Sequence, residues 1–274
     1  MEKSVRQAVT FIHNRYYEPI TLNEIAAAVF VSPYHFSRVF SRAVGLTPGR
    51  YLTAVRLFAA KRMLLTTDLT VSDIVCSVGY NSVGTFTSRF TRAVGVSPTQ
   101  YRHPVVSRLL VAASHGFSRL PDLEEMVGVE RERTPLGPYT HAVRGVLDIP
   151  ESVGRTEVMV GVFADALPQG TPVAFTALRA RGRTEFEVVG VPGGHHRVIA
   201  VAMPQGARSG AVPTLTASTP GHIKVTGGLG TYVCLPMEPV KETDPPVAVT
   251  LADTSTIVGA KGLRVQRLRQ TVVA

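Results

Sequence analysis

The fold is decided by residues 21–51, TLNEIAAAVFVSPYHFSRVFSRAVGLTPGRY, and by their second copy at residues 70–101, TVSDIVCSVGYNSVGTFTSRFTRAVGVSPTQY. Equivalent residues are 49 positions apart before the turn and 50 positions apart after it, so the second copy carries one inserted residue. The apolar spacing of each copy predicts a short helix, a turn and a second helix. Two such units in tandem are typical of proteins that bind DNA.

Polar N-cap residues open the predicted helices: Thr21, Ser32, Thr47, Thr70 and Ser82. Glu24 and Asp73 follow three residues after a threonine, so both are expected to complete capping boxes rather than to contact DNA. Gly45 and Gly95 supply the left-handed residue that ends the second helix of each unit. These signals divide each copy into the same two helices.

Two further helices are predicted around the first unit. Apolar residues at helical spacing predict one over about residues 2–17. The other covers about residues 48–66 and joins the two units, with a length of about 28 Å at ~1.5 Å per residue. A rod of this length can hold the two units at a fixed distance.

The positive charge is concentrated in the first part of the chain. Residues 1–104 hold 12 Lys or Arg against 5 Asp or Glu, a net charge of +7, while residues 105–274 hold 17 against 15, a net charge of +2. Such a basic domain suits binding to phosphates, although the same charge would serve RNA or a membrane surface. No apolar run reaches the ~20 residues that cross a bilayer, and a cytoplasmic location is expected.

Cysteine usage also fits a reducing compartment. The two cysteines, Cys76 and Cys234, fall in different predicted domains and form no disulfide framework. Cys76 follows the apolar residues Ile74 and Val75, so it is expected to be a buried, small apolar residue.

The motifs of residues 2–104 strongly resemble the DNA-binding domain of AraC-type transcription regulators. The matching positions recur in both copies and in the connecting helix: Ile25, Val29, Phe36, Phe40, Gly45, Pro48, Tyr51, Arg56, Ile74, Val78, Gly79, Phe86, Phe90, Gly95, Pro98, Tyr101 and Arg102. The resemblance implies an all-α domain of seven helices in which the second helix of each unit enters the major groove. The two recognition helices would then contact successive turns of one DNA face, about 34 Å apart.

The first recognition helix is expected to face DNA with its polar side. Its apolar positions, Ala43 included, are directed inward, and six residues face outward: Tyr34, His35, Ser37, Arg38, Ser41 and Arg42. Arg38 can form a bidentate pair with guanine, which is worth ~1–3 kcal/mol of discrimination. Arg42 is expected to contact a phosphate. The resemblance assigns base contacts to Tyr34 and Ser37.

The second recognition helix departs from this pattern. Its expected DNA-facing residues are Val83, Gly84, Thr87, Ser88, Arg89 and Arg92. Ser88 stands where the first unit has Arg38, and Arg89 comes one position later. We therefore expect asymmetric recognition: the first unit discriminates bases, while the second places Val83 on a thymine methyl group and Arg92 on a phosphate.

From about residue 141, short apolar or alternating runs separated by Gly and Pro predict a mainly β domain. The predicted strands are 142–149, 156–163, 172–177, 186–191, 196–201, 223–225, 232–235 and 246–251. Residues 158–200 resemble part of a transthyretin-like or carboxypeptidase-regulatory-like β-sandwich. The expected fold class is therefore multidomain α and β.

The expected organisation has four parts. A double helix-turn-helix DNA-binding domain covers residues 1–104, and a linker covers residues 105–140. A β-sandwich effector or interaction domain follows at residues 141–255. Residues 256–274 form a basic tail or a last strand.

These patterns predict a sequence-specific transcription regulator and not an enzyme. Neither Cys76 nor Cys234 is expected to have the basic neighbour that activates a thiolate, so no catalytic residue is expected. His195 and His196 are adjacent in a strand and point to opposite faces, which disfavours a shared metal; no metal or cofactor is expected. Two alternatives stay open: a DNA-binding module fused to an enzyme, and a non-specific architectural DNA binder.

The expected partners follow from the same analysis. Double-stranded DNA is the first, and the resemblance implies RNA polymerase as a second, through activation, with repression also open. A small-molecule effector at the C-terminal domain is a further hypothesis. No membrane partner is expected, and the sequence leaves open whether the chain is a monomer or a homodimer.

Overall fold

A computed structural model of the chain describes residues 2–133, 140–164, 169–207, 214–226, 230–252 and 257. The helices are α1 (Glu2–Arg15), α2 (Leu22–Ala28), α3 (Pro33–Val44), α4 (Pro48–Thr66), α5 (Val71–Ser77), α6 (Val83–Val94), α7 (Pro98–Tyr101), α8 (Pro104–Arg108) and α9 (Leu123–Arg133). The first seven lie where the sequence predicts them, and α4 joins the two units. No helix in the described ranges is both long and apolar enough to span a bilayer.

Equivalent aromatic residues form the centre of each helix-turn-helix unit. In the first unit, the ring centroid of Phe40 lies 5.4 Å from that of Phe36 and 5.5 Å from that of Tyr51. In the second, Phe90 lies 5.5 Å from both Phe86 and Tyr101. The sequence repeat is therefore a repeat of core packing, which fixes α3 and α6 on the domain in the same way.

The predicted helix caps are present with one exception. Thr21 with Glu24 and Thr70 with Asp73 form reciprocal capping boxes, so both acidic residues have the structural role expected of them. The hydroxyls of Thr47 and Ser82 accept main-chain hydrogen bonds at the starts of α4 and α6. The side chain of Ser32 makes no such bond; α3 begins instead with Pro33, whose fixed φ suits the first helical position.

Two residues expected in the core lie at the surface. Cys76 is exposed, because Ile74 and Val75 occupy the inward side of α5 and the next residue is turned away from it. Ala43 is exposed because the last turn of α3 borders an open cleft rather than the core. The expectation of a buried Cys76 is thus wrong, and so is the inward assignment of Ala43.

The remainder of the chain is mainly β. The strands are β1 (Leu110–Ser114), β2 (Phe117–Arg119), β3 (Thr140–Asp148), β4 (Thr156–Phe163), β5 (Ala174–Ala180), β6 (Arg183–Pro192), β7 (Gly194–Pro204), β8 (Leu215–Ser218), β9 (Ile223–Val225), β10 (Thr231–Pro236), β11 (Glu238–Pro239) and β12 (Val247–Thr250). Their orders are β12-β1-β2, β10-β3-β6 and β11-β8-β7-β4-β5, with β9 also on β7. β10 and β3 are parallel, and the other described pairs are antiparallel. All eight predicted strands overlap observed ones, and a multidomain α and β protein is confirmed.

Alternate residues of β4 enter two different cores. Val158 and Val160 pack with Val143 of β3 in a core between two sheets. Met159 and Phe163 enter the core that also contains residues of α4 to α9. The sheet containing β4 is therefore buried on both faces, one against a second sheet and the other against helices.

The segment predicted as a linker contains helices and strands where it is described. Residues 104–133 contain α8, β1, β2 and α9. β1 pairs with β12 from the far end of the chain, with Leu110 opposite Thr250, and α9 buries Met126. This segment joins the helical and β parts through shared core contacts. Of the predicted tail, only Ile257 lies among the described residues.

A buried lysine lies where the two parts meet. The Nζ of Lys61, on α4, donates to the main-chain oxygens of Gln169 at 2.6 Å and Ala248 at 2.7 Å, and to Oε1 of Gln169 at 2.8 Å. The Lys61 side chain is fully buried, and burial lowers its pKa well below the ordinary value. Helix α4 is thus hydrogen-bonded to two segments of the β part.

Candidate nucleic-acid interface

Helix α3 presents most of the predicted contact residues to solvent. Tyr34, His35, Arg38 and Arg42 are exposed, and Ser37 is half-buried. The Tyr34 side chain is 82% exposed at the first turn of the helix. The opposite side of α3 is anchored through the buried Phe36 and Phe40, so the polar face of the helix is turned away from the core of its own unit.

Helix α6 is anchored in the same way and exposes a different set of side chains. Its exposed residues are Val83, Gly84, Ser88, Arg89 and Arg92, and Thr87 is half-buried. Thr87 follows its equivalent, Ser37, by 50 positions in the sequence, and both residues are half-buried. Four of the predicted residues of α6 are equivalents of predicted residues of α3, and two of these have smaller side chains: Gly84 in place of Tyr34 and Ser88 in place of Arg38.

The position of Arg89 differs from that of Arg38 by one residue. The equivalent of Arg38 is Ser88, and the equivalent of Arg89 is the half-buried Val39. One residue along a helix corresponds to a rotation of about 100°. Arg89 therefore leaves α6 from a flank, whereas Arg38 leaves α3 from the face that it shares with Tyr34.

Contacts of the half-buried Arg56 and Gly79 hold the two units against each other. The guanidinium of Arg56, on α4, donates to the main-chain oxygens of Tyr16 at 2.7 Å and Glu18 at 2.6 Å. Burial lowers the pKa of Arg56. A Cβ atom on Gly79 would lie 2.7 Å from the Tyr16 oxygen and 2.9 Å from Arg56, so glycine is required there. The turn of the second unit thus packs against Arg56 of α4 and the main chain that follows α1.

A cleft of about 770 Å³ separates α1 and α3 from the turn Lys241–Thr243 of the β part. Its charged lining consists of four cationic residues and two acidic ones: Arg6, Arg38, Arg42, Lys241, Glu2 and Glu242. Val5 and Val39 contribute apolar surface. Glu2 pairs with Arg6 at 3.2 Å, and Glu238 pairs with Lys241. Within the described residues, neither Arg38 nor Arg42 has an ion-pair partner, so the cleft keeps unneutralised positive charge beside the recognition helix.

The turn that borders this cleft is well supported. The main-chain N–H of Lys241 donates to Oδ2 of Asp244 at 2.8 Å, and the N–H of Asp244 donates back to the Lys241 oxygen at 3.1 Å. The main-chain oxygen of Asp244 accepts from the hydroxyl of Tyr51 at 3.5 Å. Burial raises the pKa of the Asp244 carboxyl. No sequence motif pointed to this turn, because its position depends on long-range packing.

The histidine pair has separate environments. His196 is buried and its Nε2 lies 2.8 Å from the main-chain oxygen of Pro192, whereas His195 is exposed. The two side chains thus point to opposite faces, as expected for adjacent residues of β7. Phe30, in the turn between α2 and α3, is a further exposed residue, and alignment of the two sequence copies places it opposite Gly79.

Comparisons with known proteins agree with this geometry. A family model described as a helix-turn-helix domain matches residues 25–103. The lactose operon transcription activator of Staphylococcus xylosus is 32% identical over 103 residues, covering 38% of this chain and 37% of that protein. An HTH-type transcriptional regulator of Mycobacterium tuberculosis is 44% identical over 81 residues, covering 30% of this chain and 31% of that protein.

A further relative combines two activities. The bifunctional transcriptional activator and DNA repair enzyme of Bacillus subtilis is 33% identical over 92 residues, covering 34% of this chain and 44% of that protein. The similarity to all three proteins is confined to part of each. The chain spans about a third of the length of the first two relatives and under half of the third.

Two helix-turn-helix units with exposed recognition helices on a rigid connecting helix define a DNA-binding domain of the helix-turn-helix class. More specifically, residues 25–103 are an AraC-type helix-turn-helix domain. The expectation drawn from the motifs is confirmed for this part of the chain. The relatives that share the domain are transcription regulators.

Proposed function

We propose that this protein is a sequence-specific transcription regulator that inserts α3 and α6 into successive major grooves of double-stranded DNA. The observation that carries the proposal is the repeated anchoring of the two helices. Each helix is fixed to the domain by its own aromatic cluster, and the two clusters are equivalent. Each helix turns its unanchored face to solvent. The relatives that share the domain support regulation as the biological role.

Recognition in this proposal is asymmetric. Arg38 contacts guanine, with Tyr34 and Ser37 on the same face of α3, and His35 and Arg42 at its margin. On α6, Gly84, Thr87 and Ser88 allow close approach to DNA, Val83 contacts a thymine methyl group, and Arg89 and Arg92 contact phosphates. The rotation of Arg89 away from the Ser88 position supports this division of roles.

The C-terminal β part regulates or assembles the complex in this proposal. We assign DNA binding to residues 1–104 and effector or interaction functions to residues 141–255, with a sandwich of the transthyretin-like or carboxypeptidase-regulatory-like type. The cleft beside α3 supports a small-molecule effector, since its cationic and apolar lining suits an organic anion. A ligand there would compete with DNA for Arg38, which would couple the two binding events. Contacts with RNA polymerase and a cytoplasmic location complete the proposal.

A combined repair enzyme is the alternative that one relative suggests. Cys76 and Cys234 are exposed and are not joined in a disulfide. A reactive thiolate requires a basic neighbour or a metal, and no group of three or more His, Cys, Asp or Glu side chains in the described residues could hold a metal ion. We therefore favour regulation without catalysis.

Selection of binding sites from random duplex DNA tests the proposal. The full-length protein is expected to enrich two boxes about one helical turn apart at a fixed salt concentration. Arg38→Ala should lose the preference in one box, while Arg89→Ala should weaken binding with little change of preference. Equal relaxation by both variants would contradict asymmetric recognition. Binding without any enriched motif and with a steep salt dependence would favour an architectural DNA binder.

A further inference from the structure

Phe30 has a backbone conformation that its residue type disfavours. It is the one non-glycine residue with a positive φ among the described residues, at 58°. Its side chain is also 97% exposed, so packing within the chain does not hold it there. A bulky residue in the left-handed region is strained, and such strain persists most often at functional sites.

The second unit contains the same turn with glycine. The N–H groups of Phe30 and Val31 donate to the oxygens of Ala27 and Ala26, and those of Gly79 and Tyr80 donate to Cys76 and Val75. These four pairs are equivalent at an offset of 49. Gly79 has a φ of 79°, so both turns adopt the left-handed conformation. The left-handed turn conformation therefore favours glycine, and the fold does not require a phenylalanine at position 30.

A second aromatic residue of the first unit also stands opposite a glycine. Tyr34 lies on the first turn of α3 and is 82% exposed, and its equivalent on α6 is Gly84. Phe30 and Tyr34 are the two most exposed large hydrophobic residues in the described part of the chain. The first unit thus has two projecting aromatic side chains where the second unit has two glycines.

We propose that Phe30 contacts DNA at the edge of the first box and adds to its recognition there. The proposal rests on the function proposed above, in which α3 enters the major groove from its first turn. Phe30 precedes the N-cap Ser32 by two residues, at the end of α3 that carries Tyr34. Its ring would pack against deoxyribose or a thymine methyl group, since apolar side chains contact these groups of DNA. Glycines at the equivalent positions leave α6 without such contacts.

The substitution Phe30→Gly tests the proposal, because it restores the residue that the second unit uses. We expect a higher Tm, since the strain is relieved, together with an affinity for the selected site that is about 5- to 10-fold weaker. Phe30→Asn, which tolerates the left-handed conformation, should give the same two changes. Tyr232→Ala removes an exposed aromatic residue of β10 and should leave DNA affinity unchanged.

The outcomes separate this proposal from the function on which it rests. The wild-type protein must first enrich a motif that Arg38→Ala disturbs; otherwise the proposed function fails. If the wild-type protein does enrich such a motif, and Phe30→Gly then binds the selected site within twofold of wild type, a DNA contact by Phe30 is excluded. Unchanged binding with reduced transcription in vitro would assign Phe30 to a protein partner, which also overturns the proposal.

Discussion

Lys61 and Gln169 form the central polar contact between the helical and β parts. The Nζ of Lys61 lies 2.6 Å from the main-chain oxygen of Gln169 and 2.8 Å from its Oε1, with the Ala248 oxygen as a third acceptor. All three acceptors are neutral, and no carboxylate of the described residues forms an ion pair with Lys61. A buried ammonium without a counterion is costly to desolvate, so its pKa is lowered.

The lowered pKa predicts a pH dependence of stability. The unfolded chain holds the Lys61 proton more tightly than the folded chain, so this residue makes the free energy of unfolding rise with pH up to the ordinary lysine pKa near ~10.5. Lys61→Met should give a smaller rise between neutral and alkaline pH than wild type. Urea unfolding at several pH values measures the two slopes.

Lys3→Met is the control for that experiment, because Lys3 is exposed on α1. This variant should keep the wild-type slope. Equal slopes for Lys61→Met and wild type would show that Lys61 has the same proton affinity in both states, contrary to the effect expected from burial.

The equivalent tyrosines of the two units should respond differently to loss of their hydroxyl groups. The Tyr51 hydroxyl lies 3.1 Å from Nε2 of His13, whereas the buried Tyr101 hydroxyl has no hydrogen-bond partner among the described residues. Tyr51→Phe should lower the free energy of unfolding by about 1 kcal/mol, and Tyr101→Phe should raise it by up to about 1 kcal/mol. Urea unfolding at neutral pH checks both. An equal decrease in the free energy of unfolding in the two variants would show that the Tyr101 hydroxyl makes a hydrogen bond in the folded protein.

Glycines 79 and 95 provide a second matched pair. Both have positive φ values, 79° and 89°, but only Gly79 would place a Cβ atom against Tyr16 and Arg56. Gly95→Ala should cost about 1–2 kcal/mol from conformation. Gly79→Ala should cost a further 1–3 kcal/mol or so from overpacking. Thermal unfolding compares the two variants. Equal losses of stability would mean that the main chain after α1 moves aside without cost.

The sequence predicted the local parts of this fold well, because helix caps and apolar spacing are local signals. The central helix was predicted at about 48–66 and observed at Pro48–Thr66. The eleven predicted DNA-binding residues all lie at exposed or half-buried positions of α3 and α6. Cys76 was misassigned because three apolar residues in a row do not reveal which of them faces outward.

The long-range packing could not be predicted from the sequence. The pairing of β1 with β12 joins residues about 140 positions apart, and no local pattern identifies such a partner. The position of the Lys241–Thr243 turn beside α3 depends on the same packing. Phe30 is different, since the internal repeat exposes its mismatch with Gly79, but only the structure shows that its side chain is free.

Arg42 should contribute to DNA binding through charge and not through base recognition. It lies on the last turns of α3, lines the cationic cleft and has no ion-pair partner in the described residues. Arg42→Ala should weaken binding by a similar factor for all sequences and make the slope of log affinity against log salt about 0.9 shallower, as expected for one phosphate contact. Arg183→Ala removes the same charge from an exposed position of β6 and should leave the slope unchanged. If Arg42→Ala instead changes sequence preference at constant slope, Arg42 contacts a base, and the cleft beside it is part of the recognition surface.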